Sequence, residues 1–116
     1  LETVGRDKRV PGIAHLCIAG CESEAILFLL DEAMICASAA SACASGAMEP
    51  SHVLSAMGID PKYTMGAIRM SLGHTTTERD IDRASTALIA AVHQLRRNKT
   101  MSKTMSKTTH KVSASK

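Results

Sequence analysis

Aromatic side chains are almost missing from this sequence: its 116 residues include one Phe, one Tyr and no Trp. Any core must be aliphatic, assembled from Leu, Ile, Val, Met and Ala. Long apolar runs are missing too, since the longest, Ala25 to Leu30, stops at Asp31-Glu32, well short of the ~18–20 residues of a membrane span. A transmembrane helix is excluded, and no membrane partner is expected. There is no start methionine, and Leu1-Glu2-Thr3-Val4-Gly5-Arg6 lacks the charged-then-apolar order of a signal peptide. The expectation is that Leu1 is an internal position of something longer and that nothing marks the chain for export. The length admits one small domain, because domains usually run ~100–150 residues.

Acidic residues are absent from Lys99 to Lys116, which holds five lysines. Residues 1–98 therefore carry 9 cations against 11 acids, a balance of −2 within a net charge of +3. The body offers no basic face to nucleic acid. Lys99-Thr-Met-Ser, Lys103-Thr-Met-Ser, Lys107-Thr-Thr-His and Lys111-Val-Ser-Ala repeat every four residues, which on a helix stacks like charges at i,i+4. This predicts a basic, disordered tail over 99–116. An arm for RNA or an anionic membrane would need aromatic or Arg contacts that the tail lacks, so no direct nucleic-acid partner is expected.

Disulfides are not expected from Cys17, Cys21, Cys36 and Cys43, given ordinary hydrophobic content and no secretory signal. His15-x-Cys17-x3-Cys21 has zinc-binding atoms without the paired C-x2-C spacing, so no metal site is expected. Alternation from Ile13 to Ala19 predicts a strand buried on both faces. Glu22 to Ala33 reads as a helix with a wide apolar face and acids in its first turn, and Met34-Ile35-Cys36 as a short strand. Pro50 opens a short helix that Gly58 closes, and Ala67 to Leu72 is a further strand. Thr75-x-x-Glu78 is a capping box ahead of Ile81, Ala84, Leu88, Val92 and Leu95 at helical spacing. The alternation of strands and helices implies an α/β (α+β) fold, a small mixed or antiparallel sheet covered by helices.

Two residues ask for a chemical explanation. Within Ala37 to Ala47 nothing except Cys43 is larger than Ser, a composition too poor in apolar surface to order itself. Its thiol is either a nucleophile, helped by helix amides near Pro50, or an incidental loop cysteine. Cys17 and Cys36, in strand-like apolar runs, read as core thiols. Arg69 lies between Ile68 and Met70 in an apolar strand, where a guanidinium needs an anion: an internal acid, which the residues alone favour, or a substrate carboxylate.

Ser41-Ala42-Cys43-Ala44-Ser45-Gly46-Ala47-Met48-Glu49-Pro50-Ser51-His52-Val53-Leu54, then Met57-Gly58, Gly66-Ala67-Ile68-Arg69-Met70-Ser71-Leu72-Gly73 and Thr76-Thr77-Glu78, resembles the C-terminal lobe of a cysteine desulfurase. These are pyridoxal-phosphate enzymes of the class-V aminotransferase superfamily, and the likeness runs from about Val10 to Leu95. The resemblance implies that residues 1–98 form the small C-terminal domain of a fold-type I transferase, within a two-lobed homodimer. It implies that Cys43 is the catalytic cysteine, which takes sulfur from L-cysteine as a persulfide and leaves alanine. Arg69 then matches the arginine that grips the substrate carboxylate, which suits its bidentate geometry. The implied acceptors are an iron–sulfur scaffold or a tRNA-thiolation protein, and the implied location is the cytoplasm, or the mitochondrion in a eukaryote. The family's large lobe holds the cofactor through a Schiff-base lysine, a stacked histidine and an acid, and this chain has none of them in a matching context. His110-Lys111 reproduces the family's His-Lys dipeptide in the tail and reads as coincidence. Ala40 stands where the family usually has Gly before Ser-Ala-Cys. The alternative to catalysis is a non-catalytic sulfur relay or adaptor, or an inactive fragment.

Overall fold

The computed structural model describes residue 7, residues 11–39 and residues 52–114, the side chains of 52 and 109–114 aside. Its elements run β1 (Ile13–Cys17), α1 (Ser23–Glu32), β2 (Ser38–Ala39), α2 (His52–Ala56), α3 (Pro61–Thr64), β3 (Ala67–Ser71) and α4 (Glu78–Ala114). The three strands form an antiparallel sheet in the order β1-β3-β2. The expected α/β fold, a small antiparallel sheet covered by helices, is therefore what the chain adopts.

Alternation along β1 and β3 divides the side chains between two faces. On one face, Leu16, Ile18, Ile68 and Met70 meet Ile26 and Leu30 of α1 and Ala87, Leu88, Val92 and Leu95 of α4. Ile26, Leu30 and Ile68 have no solvent exposure, and this aliphatic cluster is the main core. On the other face, Cys17 and Ala67 are covered by Leu54 of α2, with Ile59 and Tyr63 beside them. The burial on both faces expected of this strand is reached only at its end: Cys17 is buried, Ala14, His15 and Leu16 are half-buried, and Ile13 is exposed.

The start of α1 is tied to the entry of β3. The Ser23 N–H donates to the Met65 carbonyl at 2.8 Å, and the Ser23 hydroxyl lies 2.8 Å from the carbonyls of both Met65 and Ala67. Gly66 sits in the same junction, where a Cβ would run into the carbonyl oxygens of Ile18 and Cys21. Only glycine lets these two backbones approach so closely.

Four local expectations are corrected. Met34, Ile35 and Cys36 are no strand: Met34 takes φ 62°, with its N–H donating to the Asp31 carbonyl and the Ile35 N–H to the Leu30 carbonyl, each at 2.9 Å. That pattern is a Schellman stop to α1, so pairing begins only at Ser38. Cys36 is exposed and no core thiol, because it follows this stop where neither helix nor sheet covers it. The capping box is Thr77-x-x-Asp80 instead of Thr75-x-x-Glu78. Thr77 N–H and hydroxyl each donate to Asp80 Oδ2 at 2.9 Å, and Asp80 N–H donates to Thr77 Oγ1 at 3.2 Å. Thr76 instead closes the turn after β3, accepting from the Gly73 N–H at 2.9 Å. Finally, where the sequence predicts a disordered tail from Lys99, α4 continues without a break to Ala114. The four-residue repeat contains no Pro or Gly to end a helix already propagating from Glu78. The solvated character expected of that segment is present, since every described side chain from Arg96 to Thr108 is exposed.

Candidate functional site around Arg69

Strand register brings three residues of distant sequence into one row. Arg69 at the centre of β3 is paired with His15 of β1 on one side and Ser38 of β2 on the other. Directly paired residues share a face, so all three lie on the side of the sheet opposite α1 and α4. The α2 and α3 residues that cover Cys17 and Ala67 leave Arg69 exposed at the edge of their cluster. No carboxylate among the described residues pairs with its guanidinium. The internal salt bridge that the apolar strand context favours is not formed among them, because Arg69 points from a strand centre to an open face.

His15 is half-buried, and its imidazole is held below the ordinary value of 6.5. Burial is the larger cause and the positive charge of Arg69 the second, and both disfavour the imidazolium. The site therefore presents one permanent cation flanked by an imidazole biased to neutrality and a small hydroxyl. Such a row suits an anion with a polar backbone, a carboxylate above all. The sequence places His15 only in a zinc-like spacing and gives no sign of its place beside Arg69. That signal needs the pairing of residues 54 positions apart.

The zinc-like group itself is not assembled. His15 and Cys17 share the Arg69 face, whereas Cys21 belongs to the core beside Ile26 and Leu30. Among the described residues no three His, Cys, Asp or Glu side chains converge to hold a metal. Cys17 is fully buried, and burial pushes its thiol up from the usual 9.0, which makes it a poor nucleophile. Cys43, the cysteine that the sequence singles out, lies outside the described residues.

An apolar groove of about 490 Å³ between β1, β3 and the start of α4 is lined by Ile13, Leu16, Met70, Leu72, Ile81 and Leu88, among others. It opens on the helix-covered side, away from Arg69. Among the described residues, no lysine is in contact with Arg69. Lys62 on α3 is 60% exposed and pairs with Asp60 at 3.6 Å, while Lys99, Lys103 and Lys107 are exposed on α4. The described residues do not fit a covalently held pyridoxal phosphate. No helix among them is long and apolar enough to cross a membrane.

Comparison with known proteins bears on this arrangement. The family model for aminotransferase class-V matches residues 1–84. An IscS-like cysteine desulfurase of Mycobacterium tuberculosis is 48% identical over 89 residues, 77% of this chain and 23% of that protein. The cysteine desulfurase NifS of Azotobacter vinelandii is 46% identical over 90 residues, 78% of this chain and 22% of that protein. Among solved structures, a NifS-like protein from Rickettsia africae superposes with a TM-score of 0.55 at 31% identity, over 77% of this chain and 21% of its own. The chain spans less than a quarter of the length of these relatives. With the family model covering most of its length and its fold superposing on a NifS-like structure, this chain belongs to the class-V aminotransferase family.

Proposed function

We propose that residues 1–98 are the C-terminal lobe of a cysteine desulfurase, with Arg69 binding the carboxylate of L-cysteine and Cys43 receiving its sulfur. The relatives named cysteine desulfurase support the activity, and the row around Arg69 supports the division of roles. The observation that carries the reading is the register of β2. Ser38 pairs with Arg69, and Cys43 follows five residues later, so at ~3.6 Å per residue chain connectivity keeps it within about 18 Å of that strand position. Beyond Cys43 the chain returns to Leu54, packed against Cys17 and Ala67 on the same face. Ser38 and Leu54, described residues on either side of Cys43, thus both lie on the side of the sheet that carries Arg69.

The transfer balances without an outside oxidant or reductant. The C–S bond of L-cysteine breaks, an S–S bond forms on Cys43, and the thiol proton ends on the carbon that becomes the alanine methyl. Arg69 contributes two parallel N–H donors to the carboxylate and no proton. His15, biased to neutrality, adds no second charge to that grip. Pyridoxal phosphate belongs in this reading to residues outside the chain, as does the second subunit of a homodimer. The persulfide goes to an iron–sulfur scaffold or a tRNA-thiolation protein, and the setting is the cytoplasm, or the mitochondrion in a eukaryote.

The test grafts residues 1–98 in place of the matching segment of the M. tuberculosis relative and measures alanine formed from L-cysteine. Cys43→Ala is expected to abolish turnover. Arg69→Gln is expected to raise KM about 10- to 100-fold, the loss of a charge-assisted hydrogen bond. Undiminished turnover in Cys43→Ala refutes the proposal.

A further inference from the structure

Beyond the family match, α4 carries a feature that sulfur transfer does not use. Asp82 is the last acid of the chain, and eight Lys and Arg residues follow it. Against the expectation of no direct nucleic-acid partner, which rests on a disordered tail, we propose that the helical C-terminal half of α4 is a docking face for duplex nucleic acid, engaged through its phosphate backbone. This reading is independent of the desulfurase assignment, since the family model ends at residue 84.

The four-residue repeat becomes geometry once the segment is helical. Each step of four advances about 40° around the axis and about 6 Å along it. Lys99, Lys103 and Lys107 therefore form one exposed stripe, and Arg96, also exposed, falls on the same arc. One cation about every 6 Å along an exposed face supplies the closely spaced positive charge that a duplex phosphate backbone neutralises. Arg96 Nη2 also donates to the Ala19 carbonyl at 3.0 Å, which fixes the body end of the stripe relative to the sheet. The hydroxyls of Thr100, Thr104 and Thr108 donate to carbonyls four residues back, each at 3.0 Å. Their protons are used within the helix, so the lysine ammonium groups are the stripe's outward donors.

The same geometry selects among polyanions. Met101 and Met105 are exposed, 65% and 70%, on the side of the helix away from the lysines. From Arg96 to Thr108 the helix offers a bilayer only Met101 and Met105 as large apolar side chains, too small an apolar face to hold an interfacial helix. Single strands are bound chiefly by base stacking on aromatic rings, and α4 has no Phe, Tyr or Trp. A duplex backbone needs only regularly spaced charge. Lysines at i,i+4 also repel one another in the free helix, a strain that phosphates relieve. Binding should therefore raise helicity as well as neutralise charge.

The test is fluorescence anisotropy of the full 116-residue chain with a labelled DNA duplex of about 20 base pairs, from ~50 to ~200 mM salt. With four cations engaged, log K is expected to fall against log salt with a slope of about −3 to −4. The combined Lys99→Gln, Lys103→Gln, Lys107→Gln variant should bind at least tenfold more weakly at the lowest salt with a shallower slope, and Lys62→Gln should bind as the parent does. Far-UV circular dichroism should show helicity rising on duplex addition and confirm that the triple variant folds. If it does not fold, Lys103→Glu alone must weaken binding. No duplex binding at the lowest salt overturns the proposal. So does an unchanged affinity in these variants, tighter binding to the single strand, or capture by phosphatidylcholine–phosphatidylglycerol vesicles in place of the duplex.

Discussion

Met34 is a single residue in a conformation that ordinary side chains avoid. Its φ of 62° lets α1 end in a Schellman turn, yet its side chain is 83% exposed and contributes little packing. Met34→Gly is expected to stabilise the chain by ~0.5–1 kcal/mol, the left-handed penalty less the entropy glycine adds to the unfolded state. Urea denaturation checks this, and a lower midpoint refutes it. His15 makes the second prediction at this scale. Its folded value lies below 6.5, so between that lower value and 6.5 the unfolded chain holds more protons than the folded one. Stability from this group is complete above 6.5 and is lost as pH falls through the folded value. NMR titration should place the His15 imidazole below 6.5, and Arg69→Gln should raise it only part of the way, because burial is the larger cause. Titration of His15 at or above 6.5 contradicts the burial and charge described.

Elements were legible in the sequence wherever periodicity was long. β1, α1, β3 and the body of α4 fall close to their expected spans, because each buries a continuous apolar face whose spacing is written locally. The misplaced features are those decided by one backbone angle or one hydrogen bond. Three consecutive threonines and two acids offered two capping registers, and Thr76's bond to Gly73 leaves Thr77 with Asp80. The Thr77 backbone N–H, then its hydroxyl, hold the Asp80 carboxyl below its ordinary value. Thr77→Ala is expected to lower stability by ~1 kcal/mol, whereas Thr75→Ala should change it by only a few tenths. Equal losses from the two, in thermal or urea unfolding, would contradict the observed register. The short α3 left no expectation at all, being one turn long and held mainly by Asp60 accepting from the Lys62 N–H at 3.0 Å.

At the scale of the whole molecule, the sheet separates construction from chemistry. Its helix side holds the aliphatic core, and its other side carries Arg69, His15 and Ser38 in one row. Arg69 was conspicuous in the sequence as a charge in an apolar strand. Its partners were not, because pairing across the sheet joins residues separated by dozens of positions. Cys43 was conspicuous through the small residues around it, and the role proposed for it rests on connectivity from Ser38 and on likeness to cysteine desulfurases. The central claim is that sulfur lands on Cys43. Peptide mass spectrometry of the grafted enzyme, alkylated after brief exposure to L-cysteine without added thiol, tests it most directly. Tandem fragmentation that places one extra sulfur atom on Cys43, and none on Cys17, Cys21 or Cys36, is the predicted result, since Cys36 and Cys43 share one peptide. Extra sulfur on Cys36 with none on Cys43, or on no cysteine while alanine accumulates, would contradict the account.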